Sequence, residues 1–229
     1  MNAALDIPRA RFNMIEQQIR PWDVLDQDVL DLLMVVKRED FVPAAHRALA
    51  FTDMEIPLAY PGAPAGGGAF MWSPKMEARV LQELQIKAHD RALEIGAGSG
   101  YFAALLAHSC HAVTSVEIVP ALVALAQQNL KAAGLTDVRV VEGDGARGYA
   151  NDTYDIIVLS GSTPVLPEKF LEQLKPGGRL FAVVGDAPVM EARIYTKAGA
   201  GAGSITSINL FETVITPLVN AAQPVRFKF

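Results

Sequence analysis

Residues 92–102, with the sequence ALEIGAGSGYF, join an apolar run to a loop that contains three glycines. The run predicts a buried strand, and the following residues YFAALLAHS (101–109) predict a helix. Gly96, Gly98 and Gly100 allow a tight turn and let a ligand approach the backbone closely. The free N–H groups of the helix point toward such a ligand. The stretch therefore predicts a strand, loop and helix that bind a nucleotide-like molecule.

Strand and helix patterns alternate on both sides of this loop. Strands are predicted for RALEI (91–95), HAVTSVEI (111–118), VRVVEGD (138–144), YDIIVLSG (154–161) and GRLFAVVG (178–185). Helices are predicted for PALVALAQQNLKAAG (120–134) and for LPEKFLEQLKPGG (166–178), the second ending at Pro176. This alternation predicts an α/β fold with a doubly wound, mostly parallel sheet.

The end of the chain has a different pattern. VMEARIYTK (189–197) and SITSINLFETVITPL (204–218) flank the alternating sequence AGAGAG (198–203). Two alternating segments around such a connection predict a C-terminal antiparallel hairpin with a flexible tip.

The N-terminal part predicts helices followed by an irregular segment. Residues 11–22 space Phe12, Ile15 and Ile19 at helical intervals, and residues 26–40 set Val29, Leu32, Leu33 and Val36 on one face. Residues 41–72 are rich in proline and glycine and predict a long loop. A further helix is predicted over 73–86, with Ser73 as its N-cap. We therefore divide the chain into an N-terminal helical appendage (1–74) and a core domain (75–229).

Composition excludes several classes of protein. The 229 residues include a single cysteine, Cys110, so no internal disulfide framework forms and a reducing compartment is expected. The net charge of −5 gives no general attraction to nucleic acid or anionic lipid. The N-terminus lacks the apolar block of a signal peptide, and no window resembles a membrane span. The four histidines show no metal-ligand spacing. We expect a cytoplasmic protein with no bound metal and no nucleic-acid or membrane partner.

Glycine spacing and three acids narrow the choice of ligand. In a dinucleotide fingerprint, Gly-x-Gly-x-x-Gly, the third glycine would stand where this chain has Tyr101. Glu94 lies two residues before the first glycine, and Glu117 ends the next predicted strand, where it can accept hydrogen bonds from ribose hydroxyls. Asp144 and Gly145 follow the third strand, at the edge where open α/β sheets bind ligands.

This arrangement closely resembles that of S-adenosylmethionine-dependent methyltransferases. The resemblance implies that S-adenosylmethionine is the cofactor. It also implies that Glu94 is a partner for the methionine ammonium group and that Asp144 faces the adenine.

The resemblance extends to one family of these enzymes. ARFNMIEQQI (10–19), VLDLLMVVKREDFVP (29–43), FTDMEIPL (51–58) and residues 154–185 are similar to segments of protein-L-isoaspartate O-methyltransferases. Such enzymes methylate the abnormal carboxylate that forms when aspartyl and asparaginyl residues isomerise. We expect this activity on peptides or proteins, through an ionised acceptor carboxylate that needs no general base.

The acceptor motif departs from the family pattern of Thr-Ile-Ser-Gln/Ala-Pro. Aligned on Pro74, this chain has Trp72 where the family serine stands, and Ser73 comes one position late. Ser73 is either the displaced acceptor hydroxyl or only a helix N-cap. Trp72 either lines the acceptor pocket or anchors the loop. The preceding loop AYPGAPAGGGA (59–69) is also longer and richer in glycine than in the family.

The segment SGSTP (160–164) supplies further candidates for the acceptor pocket, namely Ser160, Ser162 and Thr163. Strand-end capping is the alternative for each of these hydroxyls. Two other functions stay open. The chain methylates a different acceptor, or it binds S-adenosylmethionine without turning it over.

Overall fold

The computed structural model describes residues 6–64, 68–199 and 204–224. Helix α1 spans Ile7–Met14 and continues through a π-helical turn (Ile15–Ile19) into a short 3-10 turn (Arg20–Trp22), and α2 spans Gln27–Val35. Both predicted N-terminal helices are therefore present. Of the three residues spaced at helical intervals, Ile15 and Ile19 are buried, whereas Phe12 is 54% exposed.

The segment predicted to be irregular contains short ordered elements. A 3-10 turn spans Ala44–Leu49, and strands β1 (Ile56–Pro57) and β2 (Phe70–Met71) pair antiparallel with Ile56 opposite Met71. Helix α3 (Pro74–Leu84) follows directly. This small ladder fixes both ends of the glycine-rich loop, of which residues 65–67 lie outside the described residues.

The main sheet has seven strands in the order β5-β4-β3-β6-β7-β8-β9. Their bounds are β3 Arg91–Ile95, β4 Ala112–Glu117, β5 Arg139–Glu142, β6 Tyr154–Leu159, β7 Leu174–Asp186, β8 Val189–Lys197 and β9 Ile205–Glu212. The strands from β5 to β7 are parallel, whereas β8 and β9 add antiparallel. The predicted fold class and the C-terminal hairpin are confirmed. Most of the predicted flexible tip, residues 200–203, lies outside the described part of the chain.

Three helices connect the parallel strands: α4 (Tyr101–Ser109), α5 (Pro120–Ala132) and α6 (Glu168–Glu172). Chain order reverses between β3 and β6, since β4 and β5 lie on one side of β3 and the later strands lie on the other. Open α/β sheets bind ligands at the carboxyl ends of the strands beside such a switch point.

The predicted end of α6 at Pro176 is wrong. The helix ends at Glu172, and β7 already begins at Leu174, which is buried and pairs with Tyr154. The pairing of β6 with β7 then shifts register between Tyr154 and Ile156. A proline is compatible with a strand at such an irregularity.

The N-terminal segment and the sheet share a hydrophobic core. One continuous cluster of buried side chains includes Met14, Leu33 and Leu58 from the N-terminal segment together with Phe102 and Phe181 from the core. A second cluster packs on the other face of the sheet around Phe170. The division at residue 75 stays a prediction, although apolar packing is continuous across it.

No helix within the described ranges is long and apolar enough to cross a membrane.

Candidate active site

A cleft of about 770 Å³, partly open to solvent, lies along the carboxyl ends of β3, β4, β5 and β6. Its floor is formed by the glycine loop and by the residues that follow β4 and β5. Polar and charged side chains in the wall are Glu55, Tyr60, Glu117, Asp144, Ser160 and Thr216.

The first two glycines of the loop line this cleft. Gly96 has φ +101° and Gly98 has φ +52°, in the left-handed region that glycine tolerates without strain. A Cβ on Gly96 would lie 3.3 Å from the Cβ of Ser160, and one on Gly98 would lie 3.1 Å from Leu58. Bare backbone at these positions keeps the cleft open.

Gly100 has a different role from the one that we predicted. It is buried outside the cleft wall, and a Cβ there would lie 3.2 Å from both the Cα and the carbonyl oxygen of Ala126. With φ +83°, Gly100 lets α4 begin close against α5. The third glycine therefore serves helix packing rather than ligand contact.

Glu117 closes the glycine loop from the end of β4. Its Oε2 accepts a hydrogen bond from the Gly98 N–H at 2.9 Å, and its Oε1 accepts one from the Val119 N–H at 3.0 Å. The carboxylate is held in one orientation by two backbone donors, and it lines the cleft while only 6% exposed. Each oxygen keeps a lone pair with which to accept a further hydrogen bond.

Asp144 and Gly145 form the cleft wall beyond β5. Asp144 Oδ1 accepts from the Ala146 N–H at 3.0 Å, which makes a tight turn, and Oδ2 accepts from Asn220 Nδ2 at 2.9 Å. A Cβ on Gly145 would lie 2.8 Å from Ile95 Cδ1, so only glycine lets this turn approach β3.

Glu94 lies beneath the glycine loop, outside the wall of the main cleft. It is fully buried and accepts hydrogen bonds from Ser115 Oγ at 2.5 Å and Ser160 Oγ at 3.3 Å. Burial raises the pKa of this carboxyl to about 8, against the lowering effect of the two serines. Burial thus favours the protonated form of Glu94, and a cation brought beside it would favour the ionised form.

A second cavity of about 330 Å³ adjoins the main cleft and is lined by Glu94, Glu77 and Tyr101. The hydroxyl of Tyr101 is buried there without a hydrogen-bond partner among the described residues. Burial also raises the pKa of Glu77 to about 7, although Arg38 opposes this. The cavity therefore has polar side chains in its wall, is partly open to solvent and is continuous with the glycine loop.

Arg38 connects the N-terminal segment to this region, and the sequence analysis did not identify it. Its guanidinium is 1% exposed, pairs with Glu77 Oε2 at 2.5 Å and donates to the carbonyl oxygens of Ala50 (3.0 Å) and Trp72 (2.7 Å). These contacts fix the backbone of the segment that enters α3. Because the partners are 12 to 39 residues away in sequence, no local pattern revealed the role.

Trp72 both anchors its loop and lines the cleft. Its indole is 5% exposed and packs edge-on against Phe102 and Phe181, with ring centroids 5.4 and 5.7 Å apart. It also forms part of the wall of both cavities. Trp72 therefore anchors its loop, and its role in the acceptor pocket stays a prediction.

Ser73 occupies the N-cap position of α3, but its hydroxyl makes no capping hydrogen bond. The predicted capping function is therefore absent, and only the Ser73 carbonyl accepts from the N–H groups of Met76 and Glu77. The side chain is half-buried and lies outside the walls of both cavities near it.

The three hydroxyls after β6 separate into two groups. Ser160 lines both cavities. Ser162 and Thr163 are fully buried outside the cleft, with their hydroxyls donating to the carbonyls of Ile215 (3.0 Å) and Val165 (2.7 Å). Their assignment to the acceptor pocket is corrected, because these hydroxyls stabilise the backbone and do not face a ligand.

The C-terminal segment after β9 is the largest feature of the site that the sequence did not predict. Residues 215–219 cross the end of β6 and line the cleft. The Ser162 N–H donates to the Thr216 carbonyl at 3.0 Å, and the Leu218 N–H donates to the Ser162 carbonyl at 2.9 Å. Nothing in the local composition of this segment marks it as part of a site.

The charge of the cleft restricts its ligand. Its wall contains three carboxylates, Glu55, Glu117 and Asp144, and no lysine, arginine or histidine among the described residues. A cationic ligand is compatible with this wall, whereas a pyrophosphate would find no basic side chain. No cluster of three or more His, Cys, Asp or Glu side chains within residues 6–64, 68–199 and 204–224 is arranged to hold a metal ion.

Comparison of the sequence with known proteins identifies related chains. A family model described as protein-L-isoaspartate(D-aspartate) O-methyltransferase matches residues 9–223. A protein-L-isoaspartate O-methyltransferase from Methanoculleus marisnigri is 37% identical over 212 residues, which are 92% of each chain. Protein-L-isoaspartate O-methyltransferase 1 from Rhodopseudomonas palustris is 40% identical over 176 residues, 76% of this chain and 69% of the relative.

Two solved structures share the fold. A protein-L-isoaspartate O-methyltransferase superposes with a TM-score of 0.77 at 22% identity, over 90% of this chain and 65% of its own. A candidate β-aspartate methyltransferase from Plasmodium falciparum, solved with S-adenosyl-L-homocysteine, gives a TM-score of 0.76 at 18% identity, over 94% of this chain and 99% of its own.

Proposed function

Because this chain belongs to the protein-L-isoaspartate(D-aspartate) O-methyltransferase family, we propose that it transfers a methyl group from S-adenosylmethionine to isoaspartyl carboxylates of damaged peptides and proteins. The observation that carries the proposal is the family match over residues 9–223, together with the carboxylates Glu117 and Asp144 beside a glycine loop. A cytoplasmic location is part of the proposal, and it rests on the single cysteine, which fits a reducing compartment.

The charge and the lining residues of the cleft suit S-adenosylmethionine. The cofactor carries a sulfonium and an ammonium group, and the wall offers carboxylates without a competing basic side chain. Glu117 has lone pairs for the ribose hydroxyls, and Asp144 with Gly145 bounds the end assigned to the adenine. Gly96 and Gly98 give backbone access, and Glu94 in the adjoining cavity is the partner assigned to the ammonium group.

The chemistry demands little acid–base work from the protein. A carboxyl with an ordinary pKa of about 4 is already ionised at neutral pH and needs no base. S-Adenosylmethionine supplies a methyl group activated by its sulfonium. One acceptor oxygen forms the new bond to this carbon as the bond to sulfur breaks, which leaves a methyl ester and S-adenosylhomocysteine. The walls around Trp72 and the C-terminal segment exclude water and align the two reactants.

A hydroxyl that holds the acceptor carboxylate is the remaining requirement. Ser73 is the family-derived candidate, but its side chain lies outside the cavity walls. Ser160, Tyr60 and Thr216 carry hydroxyls in the wall itself. Replacing Ser73 and Ser160 separately by alanine distinguishes the two serines, because only the one that binds the acceptor lowers kcat/KM without changing affinity for S-adenosylhomocysteine.

The first test is transfer of labelled methyl to a peptide with one isoaspartyl residue, against the same peptide with normal aspartate. Transfer to the isoaspartyl peptide alone supports the proposal. Calorimetry with S-adenosylhomocysteine, run in parallel, reports on the cofactor site. Tight binding without transfer would refute the isoaspartyl acceptor.

A different acceptor is the second candidate, and the presence of Trp72 in the wall favours it, because an indole packs better against a flat or apolar group than against a carboxylate. Methyl transfer to another acceptor, with none to isoaspartyl peptides, would select it. A protein that binds S-adenosylmethionine and transfers to nothing would instead be catalytically silent.

A further inference from the structure

The cleft contains one carboxylate that neither the fold nor the proposed cofactor uses. Glu117 is held by two backbone N–H groups, and Asp144 is held by one backbone N–H and one side chain. The third acid, Glu55, is half-buried in the wall. It makes no hydrogen bond or ion pair with any other residue that the structure describes.

Glu55 lies near Trp72, the residue at the position of the family's acceptor serine. It directly precedes β1, in which Ile56 pairs with Met71, so the same register extended by one residue sets Glu55 beside Trp72. Glu117 ends β4 and Asp144 follows β5, two strands of the seven-stranded sheet. Glu55 therefore enters the wall beside a different sheet from the one that carries the two acids assigned to the ribose and the adenine.

The surroundings of Glu55 disfavour an isolated charge. Burial raises the pKa of Glu55, and no basic side chain among the described residues of the wall offsets this. A cationic group brought by a ligand would relieve the unfavourable burial. An additional carboxylate brought to the same place would be repelled.

We infer that Glu55 is a specificity-determining residue that selects isoaspartyl peptides with a cationic residue, lysine or arginine, next to the isoaspartate. The inference rests on the proposed function, since it names the subclass of isoaspartyl acceptors that this cleft accepts best. Glu55 contacts the flanking residue, and the methyl acceptor itself remains the isoaspartyl carboxylate.

The test compares kcat/KM for three isoaspartyl peptides that differ only in the two flanking residues, which are lysine, alanine or glutamate. The wild-type protein is expected to prefer lysine to glutamate by roughly tenfold, with alanine between them, mostly through KM. Glu55→Gln should reduce this preference to within about twofold, and Glu55→Lys should invert it.

Glu212→Gln is the matched control, because Glu212 is exposed on β9, lies outside the cleft wall and carries no ion pair among the described residues. It removes the same charge and should keep the wild-type order of peptides. Unchanged affinity for S-adenosylhomocysteine shows that each variant is folded.

Two results overturn the inference. The first is that the wild-type protein shows no preference among the three peptides. The second is that a preference for flanking lysine survives in both Glu55 variants. Failure of every isoaspartyl peptide, with S-adenosylhomocysteine still bound, is distinguishable from these results because it refutes the proposed function as well.

Discussion

Replacing Glu94 by glutamine should remove a pH dependence of stability without breaking the surrounding hydrogen bonds. The Glu94 carboxyl is fully buried, and its pKa is about 8 in the folded protein against 4.5 for the free side chain. Glutamine has the same shape as the protonated acid and can also hydrogen-bond to Ser115 and Ser160. The substitution therefore removes a titrating group and leaves its size unchanged.

The size of the effect follows from proton linkage. Between pH 4.5 and about 8 the folded protein keeps a proton on Glu94 that the unfolded chain has lost, so the free energy of unfolding falls as pH rises. The stabilisation is complete below pH 4.5, and its total loss at alkaline pH is roughly 5 kcal/mol. Between pH 6 and 8 the loss is about 2 kcal/mol, which lowers Tm by roughly 4–8 °C in a chain of this size.

The assay is thermal or urea unfolding of wild type and Glu94→Gln at several pH values, without cofactor. Burial also raises the pKa of Glu77, to about 7, so both proteins lose stability through Glu77 as pH rises. The difference between the two curves therefore reports mainly on Glu94. The variant should gain stability relative to wild type as pH rises. Parallel curves from pH 5 to 9 would refute the reasoning, because Glu94 would then be ionised in the folded protein.

Three further substitutions test other parts of the structure. Gly100→Ala should destabilise the fold by about 2–4 kcal/mol, because the added Cβ strains the backbone and overlaps with α5. Affinity for S-adenosylhomocysteine, measured below Tm, should stay unchanged. A loss of affinity without a loss of stability would contradict this prediction. Arg38→Met should cost about 3–5 kcal/mol in urea unfolding by leaving Glu77 buried without its partner, and adding Glu77→Leu should restore at least half. Asn220→Ala should change the free energy of unfolding by less than about 1 kcal/mol, yet weaken the binding of S-adenosylhomocysteine in calorimetry by roughly threefold to tenfold. The reason is that the C-terminal segment loses its hydrogen bond to Asp144. Unchanged affinity would contradict a role of this hydrogen bond in the cofactor site.

The sequence predicted the sheet well because its signals are local. The strand before the glycine loop and the helix after it have the predicted bounds, 91–95 and 101–109. Buried parallel strands are continuous apolar runs, and Pro120 begins α5 where a proline is expected at a helix start. The predicted end of α6 was wrong because Leu174 belongs to a strand and pairs with Tyr154, which lies 20 residues earlier.

The site was predicted in part, for a similar reason. Glu117 and Asp144 were found because they end consecutive strands, so their place at the sheet edge follows from the topology. Arg38 and the segment 215–219 were missed because they reach the site from the two ends of the chain. Gly100 was assigned to the ligand because its spacing alone does not distinguish a ligand contact from contact with a helix.

The C-terminal segment also sets the time at which the cleft is completed during synthesis. A nascent chain that has reached Glu212 already contains every strand of the sheet. It still lacks Ile215 and Leu218, which line the cleft, and Asn220, which hydrogen-bonds to Asp144. Full cofactor affinity is therefore expected only after these residues have been made, and a chain truncated before residue 215 would leave one side of the cleft open to water.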